Sequence, residues 1–204
     1  MAYAAWSVSA LEVPNASKWN ILGTNDAFFN DQVGEDFSSG TTSTVWWEEL
    51  GRTTLGSAGD TISVASFSAR TYLHILWHCV AVTNTIQPVL RFNNDSGSNY
   101  SITYSQNYGA LTTTTSQTSI SVASAASLGC HEGEAKISNY SAQRKMVRAV
   151  GVSDANLGAA NGSTQIDVTG KWANTSAQIT RIDLINLSTG DFDTGSELVV
   201  LGHD

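Results

Sequence analysis

The sequence predicts an all-β protein: a jelly-roll-like antiparallel β-sandwich with an irregular N-terminal arm. Three observations predict this fold. Short segments with a period of two recur along most of the chain, and turn-forming residues separate them. Thr, Ser, Val, Asn and Gly are abundant, and no long amphipathic helical pattern occurs. The 204 residues are enough for one sandwich with a full hydrophobic core.

The segment 72–82 shows the strongest strand pattern. One of its faces carries Leu73, Ile75, Trp77, Cys79 and Ala81, and the other carries Tyr72, His74, Leu76, His78, Val80 and Val82. Because both faces are largely apolar, the pattern predicts a central strand that is covered on both sides. A break at Thr83-Asn84-Thr85 precedes a second apolar run at 86–92. We expect Leu73, Ile75, Trp77 and Val89 to be buried.

The remaining strands are predicted at regular spacing between turn signals. They lie near 44–55, 60–65, 86–93, 100–105, 117–123, 132–140, 143–153, 164–172, 178–187 and 195–202. The Thr-, Ser- and Ala-rich stretch 111–127 is expected to include a surface loop. These patterns place the β-sandwich domain at 44–204.

Residues 1–43 are predicted to form a docking arm, because acidic and aromatic residues are scattered there without a steady period. The arm has five acids, Glu12, Asp26, Asp31, Glu35 and Asp36, against the single base Lys18. Its candidate assembly contacts are the aromatic residues Trp6, Trp19, Phe28, Phe29 and Phe37. A disordered leader is the alternative, and the aromatic residues argue against it because disordered segments are poor in them.

Charge and composition exclude several partners. A formal net charge of −8 argues against nucleic acid, which requires clustered Lys and Arg. The one small basic group, Arg144, Lys145 and Arg148, is expected to be a solvated turn and strand face. The first residues have neither a basic region nor a long apolar run, so we expect no secretion signal and no membrane partner.

Cys79 and Cys130 are the only two cysteines. They could form a disulfide, but a chain of this length does not need one to fold. Cys79 lies on the more apolar face of its predicted strand, which favours a buried free thiol.

Two patterns suggest metal sites, and spacing argues against both. His74 and His78 would be about 13 Å apart along a strand, too far to share one zinc ion. Asp191 to Gly195 resembles the start of a calcium loop, but Gly202 stands where the bidentate acid is required. An acidic turn is the favoured interpretation there. The run Asn93 to Gly97 has turn-forming chemistry, and an ion held by its oxygens is the alternative.

The sequence offers no catalytic residues, and we expect a protein that is not an enzyme and has no cofactor. Neighbouring Glu48 and Glu49 would point to opposite faces of a regular strand, which excludes them as a glycosidase pair. No nucleophile motif occurs either: Gly56-Ser-Ala-Gly59 lacks the required spacing.

Several segments resemble virion proteins of tailed bacteriophages. The first group is 49–55 (Glu-Leu-Gly-Arg-Thr-Thr-Leu), 60–64 and 90–100; the second is 170–183 (beginning Gly-Lys-Trp-Ala-Asn-Thr-Ser) and 195–204. Similar segments occur in tail or fibre components, often as a C-terminal β module. The resemblance covers roughly residues 46–204, with a poor match over 106–165, and no active site transfers with it. The segment 18–26 resembles short linkers that precede such modules.

The resemblance implies a structural protein on the surface of a virion, made in the cytoplasm of the bacterial host. Because no long fibre shaft precedes the domain, capsid decoration or cement competes with a tail-fibre role. Other virion proteins would be its partners. Proteins of this kind are commonly trimeric, and with 14% charged residues the chain has few charges to protect its sheet edges, so a homotrimer is favoured. A module that binds host surface glycan is the alternative function, and a depolymerase would need two convergent acids.

Overall fold

The computed structural model describes residues 47–154, 159 and 162–204. The described residues contain twelve strands and no helix: β1 (Glu48–Thr54), β2 (Thr61–Ala65), β3 (Tyr72–Ile86), β4 (Pro88–Phe92), β5 (Tyr100–Gln106), β6 (Thr112–Gln117), β7 (Ile120–Ser121), β8 (Ala126–Ser138), β9 (Lys145–Ser153), β10 (Thr164–Trp172), β11 (Arg181–Asn186) and β12 (Glu197–His203). All strand pairs are antiparallel, which confirms the predicted fold class.

The strands form two sheets whose pairing is nested as in a jelly roll. The large sheet has the order β1-β12-β3-β8-β9-β10-β5-β6, and the small sheet has the order β2-β11-β4-β7. Early strands therefore pair with late ones, β1 with β12 and β2 with β11, and inner strands pair in turn, β3 with β8 and β4 with β7. A long hairpin rolled into two sheets gives this arrangement. The remaining four strands, β9, β10, β5 and β6, extend the large sheet beyond β8.

The core lies between the two sheets and is built from the inner face of each strand. Leu73, Ile75 and Trp77 of β3 and Val89 of β4 are buried, as the alternation predicts. Three further aromatic residues, Phe92, Tyr100 and Trp172, pack together with ring centroids 5.8–6.3 Å apart. Burial of such large rings supplies a major part of the hydrophobic stabilisation of the fold.

Strand β3 differs from the sequence prediction in two ways. The expected break at Thr83-Asn84-Thr85 is only an irregularity in pairing between Ala81 and Thr85, and β3 continues to Ile86. The chain then crosses to the small sheet, so β3 and β4 are not paired. Strand β3 was also predicted to be buried on both faces, but its outer face is partly open to solvent: Leu76 is 37% exposed. Polar residues do not end this strand because β8 is long enough to pair with it as far as Ile86, whereas β12 pairs only with residues 72–78.

The stretch 111–127, which was expected to include a surface loop beside the strand predicted near 117–123, contains two strands separated and followed by short non-strand segments at 118–119 and 122–125. Strand β6 occupies the Thr-rich part and forms an edge of the large sheet, and the short β7 forms an edge of the small sheet. All residues of β6 are exposed or half-buried. The hydrophobic alternation that identifies a half-buried strand is therefore missing from its sequence.

The two cysteines remain free although their strands are adjacent. Cys79 is buried in the core, and burial raises the pKa of its thiol. Cys130 is exposed. It pairs in register with Val80, the residue after Cys79, so the two thiols lie on opposite faces of the sheet. A buried free thiol at Cys79 was the favoured prediction and is confirmed.

Candidate functional site

The outer face of the large sheet, the face that points away from the small sheet, carries the candidate site. Strand β3 contributes Tyr72, His74 and Leu76 to it, because these residues alternate with the buried ones. Pairing between neighbouring strands places their residues side by side, in rows that run across this face. One row is His203, Tyr72, Ser138 and Met146, and the next is Leu201, His74, Lys136 and Arg148.

Five rings on this face form a continuous series, which we call the ring ladder: His74, Trp47, His203, Tyr72 and Tyr140. Successive ring centroids are 5.5, 5.2, 5.3 and 5.6 Å apart. Tyr72 stacks on His203, and the other three contacts are edge-to-face. Rings in such mutual contact hold one another in place.

The ring ladder is accessible to solvent. Trp47 is 42% exposed and Tyr140 is 45% exposed. The hydroxyl groups of Tyr72 and Tyr140 hydrogen-bond to each other, which raises the pKa of Tyr140. Tyr140 lies just beyond β8 and Trp47 just before β1, so both rings come from loops at one end of the sheet.

A groove of about 310 Å³ runs beside the ring ladder. Its lining side chains include Trp47 and Tyr72 from the ladder, Lys136 and Ser138 from β8, and Met146 and Arg148 from β9. Ser138 is the smallest of these and lies between Tyr72 and Met146 in the same row. The small side chain between two larger ones leaves the open space of the groove.

Two cations of the groove lie side by side without an acidic partner. Lys136 pairs in register with Arg148, both are exposed, and neither makes an ion pair or a side-chain hydrogen bond among the residues that the structure describes. Like charges directly opposite on neighbouring strands repel each other. The groove is therefore a small positive region on a protein of net charge −8.

Several other charges of the outer face are paired. Arg52 contacts Glu49 at 3.0 Å and Glu197 at 2.5 Å. A hydrogen bond of 2.7 Å joins His74 to Glu134, and one of 3.0 Å joins His78 to Glu132. A second depression of about 360 Å³ lies over Leu76, Gly133 and Val199 among these paired charges.

The structure describes the histidines that were considered as metal ligands, but not the residues predicted as assembly contacts. Trp6, Trp19, Phe28, Phe29 and Phe37 lie outside the described residues, as does the proposed end of the arm at residue 43. The two histidines His74 and His78 bind different glutamates, as strand spacing implies. Within the described ranges, no group of three His, Cys, Asp or Glu residues is placed to hold a metal ion.

The two runs that were considered as ion sites, Asn93 to Gly97 and Asp191 to Gly195, both lie in turns. Asn93 and Asn94 have φ values of 49° and 57°, as in a tight turn with two left-handed residues, and Asp95 accepts a hydrogen bond from the Gly97 amide. In the other turn, a hydrogen bond with Asp60 raises the pKa of Asp191.

Neighbouring Glu48 and Glu49 form separate ion pairs: Glu48 binds Arg70 at 2.5 Å, and Glu49 binds Arg52. The two carboxylates are thus held by different arginines, in agreement with the predicted alternation of a strand.

The basic group Arg144, Lys145 and Arg148 is divided by the fold. Lys145 was expected in a solvated position and is buried instead, where its ammonium group donates to the carbonyl oxygen of Gln143 at 2.6 Å. Burial lowers the pKa of Lys145. Arg148 projects from the outer face into the groove.

Sequence reasoning did not identify the groove. The sequence singles out Arg148 only as a member of a basic group, and it gives no reason to connect Arg148 and Met146 of β9 with Lys136 of β8, because the two strands bring these residues together only through register. The available signal was the apolar character of both faces of β3, which was interpreted as cover on both sides. An exposed apolar face on a central strand indicates an interaction surface equally well.

Comparisons with known proteins give no match: no family model, no curated protein and no solved structure matches the chain significantly. Among the described residues, no helix is long and apolar enough to cross a membrane.

Proposed function

We propose that this chain is a non-enzymatic structural protein on the surface of a tailed-bacteriophage particle. It acts as a capsid decoration or cement protein or as a tail or fibre component, and it attaches to other virion proteins through the segment 1–43. The protein is made in the cytoplasm of the bacterial host and assembles there into the virion. The homotrimer is its proposed assembly state.

One observation carries this proposal: the segments that resemble virion proteins lie next to one another in the fold. Residues 63 and 64 of the first group pair with residues 183 and 182 of the second, and residues 91 and 92 pair with the same two residues from the other side. Asn93 accepts hydrogen bonds from the amides of Thr180 and Arg181 through its side-chain oxygen. This adjacency supports the proposal, because the resembling segments then belong to one part of the scaffold.

The part that matches poorly, 106–165, contributes most of the groove lining. Lys136, Ser138, Met146 and Arg148 belong to it, and so does Tyr140 of the ladder, whereas the other four rings of the ladder lie outside it. A shared scaffold with a distinct binding face suits surface proteins that meet different partners on a common framework.

The test is direct localisation on particles. Antibodies against the purified chain should label the head or the tail of particles in electron micrographs, and mass spectrometry of purified particles should detect the chain. If particles that are intact and infectious contain no trace of the protein, the proposed virion role is wrong. Label confined to the head would favour decoration or cement, and label at the tail would favour a fibre or tail component.

A second candidate function is recognition of a host surface glycan. It is favoured by the ring ladder, because exposed aromatic rings beside polar groups are typical of ligand-binding faces. The two functions are compatible, since a virion surface protein can also bind the surface of the host cell.

A further inference from the structure

We propose that the groove between the ring ladder and Arg148 binds a carboxylated saccharide, with the carboxylate held by Lys136 and Arg148. This inference deepens the glycan-binding candidate and rests on it. It does not depend on where the protein is located on a particle.

The first argument is the charge arrangement of the groove. Lys136 and Arg148 lie directly opposite on β8 and β9, and neither has an acidic partner among the described residues. Three other arginines, Arg52, Arg70 and Arg181, are paired with carboxylates, whereas Arg91 and Arg144 form no ion pair among the described residues. An anion placed between the two cations would remove their mutual repulsion and gain charge-assisted hydrogen bonds.

The second argument is the nature of the adjoining wall. Trp47 and Tyr72 present partly exposed rings that are fixed by contacts with His203. The apolar C–H face of a sugar ring packs well on such a surface, and sugar hydroxyls can bond to the polar tips of the tyrosines. Because the rings are already held in position, little side-chain entropy is lost on binding.

The size of the groove fits a short saccharide. Its volume of about 310 Å³ lies at the lower end of the range for small-molecule sites, about 300–1,000 Å³. The floor is the small Ser138, and Met146 forms a flexible apolar wall opposite the rings. A terminal acidic sugar with one neighbour is the kind of ligand that these dimensions admit.

The groove favours binding over cleavage and a saccharide over a nucleic acid. Glu134, one row away in the register, is engaged by His74, so the lining has no pair of free acids for glycoside hydrolysis. Two cations on a chain of net charge −8 are too few for a polyphosphate backbone. One carboxylate is the charge that two adjacent cations can neutralise.

The experiment uses the full chain and oligosaccharides that contain uronate or sialate residues, each paired with its own methyl ester. Isothermal titration calorimetry measures the dissociation constants. At least one acid should bind, and its ester should bind about tenfold more weakly or worse, because the ester cannot form the charge-assisted bonds. Absence of binding by every acid at millimolar concentration, or equal binding of acid and ester, overturns the inference.

Variants locate the site. Arg148→Gln and Lys136→Gln should each weaken binding of the acid by about tenfold or more, and Trp47→Ala should weaken binding of acid and ester alike. The matched control is Arg144→Gln, which removes an exposed cation from the turn before β9 and should leave the dissociation constant within about twofold. Circular dichroism checks that each variant is folded. Unchanged affinity in both groove-cation variants would overturn the assignment.

A single-stranded oligonucleotide serves as a competing probe. If it binds in an Arg148-dependent manner more tightly than every saccharide, the groove is a nucleic-acid site and the inference fails. None of these outcomes affects particle labelling, so the virion role is tested separately.

Discussion

Trp172 donates its indole N–H to the carboxylate of Asp95 across 2.7 Å, and this bond ties the end of β10 to the turn after β4. The same carboxylate accepts hydrogen bonds from the amide of Gly97 and the side chain of Asn99. Burial raises the pKa of Asp95, but the hydrogen bonds from these three residues outweigh it, and the net result is a lowered pKa.

Replacing Asp95 by Ala should destabilise the domain by about 2–3 kcal/mol, because the buried indole N–H of Trp172 loses its acceptor. Urea unfolding followed by tryptophan fluorescence measures this change. Asp167→Ala is the control: its carboxylate accepts a bond from Gln165 on the half-buried side of β10, and we expect a change below about 1 kcal/mol. Equal losses in the two variants would contradict the role of Asp95.

The lowered pKa of Asp95 also predicts the pH dependence of its contribution. The folded-state pKa lies below that of the unfolded chain, so the stabilisation is fully present above the unfolded value and is lost as pH falls through the folded one. The stability difference between the parent and Asp95→Ala should therefore shrink in strong acid. A difference that stays constant down to pH 2 would be inconsistent with an ionised carboxylate.

Trp77→Ala should destabilise the domain by about 3–5 kcal/mol, the usual cost of deleting a buried aromatic side chain. Its ring packs over Gly133 of β8, where an added Cβ would lie 2.2 Å from its Cζ2. Thermal melts compare this variant with Trp47→Ala, which removes an exposed ring and should cost much less. A melting temperature within a degree of the parent would show that Trp77 is not a core residue.

His131 should make the domain sensitive to mild acid. It is fully buried on β8, and burial lowers its pKa from 6.5 to about 4, although the carbonyl of Ala126 offsets part of the effect. The unfolded chain takes up a proton near pH 6.5 and the folded chain only near pH 4. Stability is therefore lost as pH falls through this window, on the order of 3 kcal/mol.

Replacing His131 by Leu should remove most of that loss. The measurement is the free energy of unfolding between pH 7 and pH 4, and its slope decides the outcome rather than its absolute value. Ser141→Ala, which changes an exposed side chain that does not titrate, should keep the slope of the parent. Parallel slopes in His131→Leu and the parent would assign the acid sensitivity to other groups.

Deletion of residues 1–42 should leave a folded β-sandwich that no longer attaches to its particle. Residues 47–204 form a compact unit with their own core, which is the basis for expecting independent folding. Circular dichroism and a particle-binding assay measure the two effects separately. Loss of β structure on truncation would mean that the segment belongs to the domain itself.

The protein should be a trimer in solution, with a mass of about 65 kDa, three times the chain mass of 21.7 kDa. One edge of the large sheet is β6, whose sequence Thr-Thr-Thr-Thr-Ser-Gln has no charged residue to prevent edge pairing. Light scattering on the purified chain at micromolar concentration gives the mass. A value near 22 kDa would exclude the trimer.

The alternation of apolar residues was sufficient to predict several strands and their buried sides. Strand β10 occupies the predicted residues 164–172, and the inner residues of β3, including Cys79, are buried as expected. A period of two fixes which residues share a face of a strand, and this information is present in any short stretch of sequence. It fails for β6, where neither face is apolar.

Register and strand order were decided only by the tertiary structure. Nothing local in the sequence states that β3 lies between β12 and β8, or that Lys136 of β8 faces Arg148 of β9. The outer face of β3 was predicted to be covered because the sequence of an apolar face does not show whether another element packs against it. The groove beside Trp47 exists because strands distant in the chain are aligned by backbone hydrogen bonds, which depend on the whole fold rather than on any one segment.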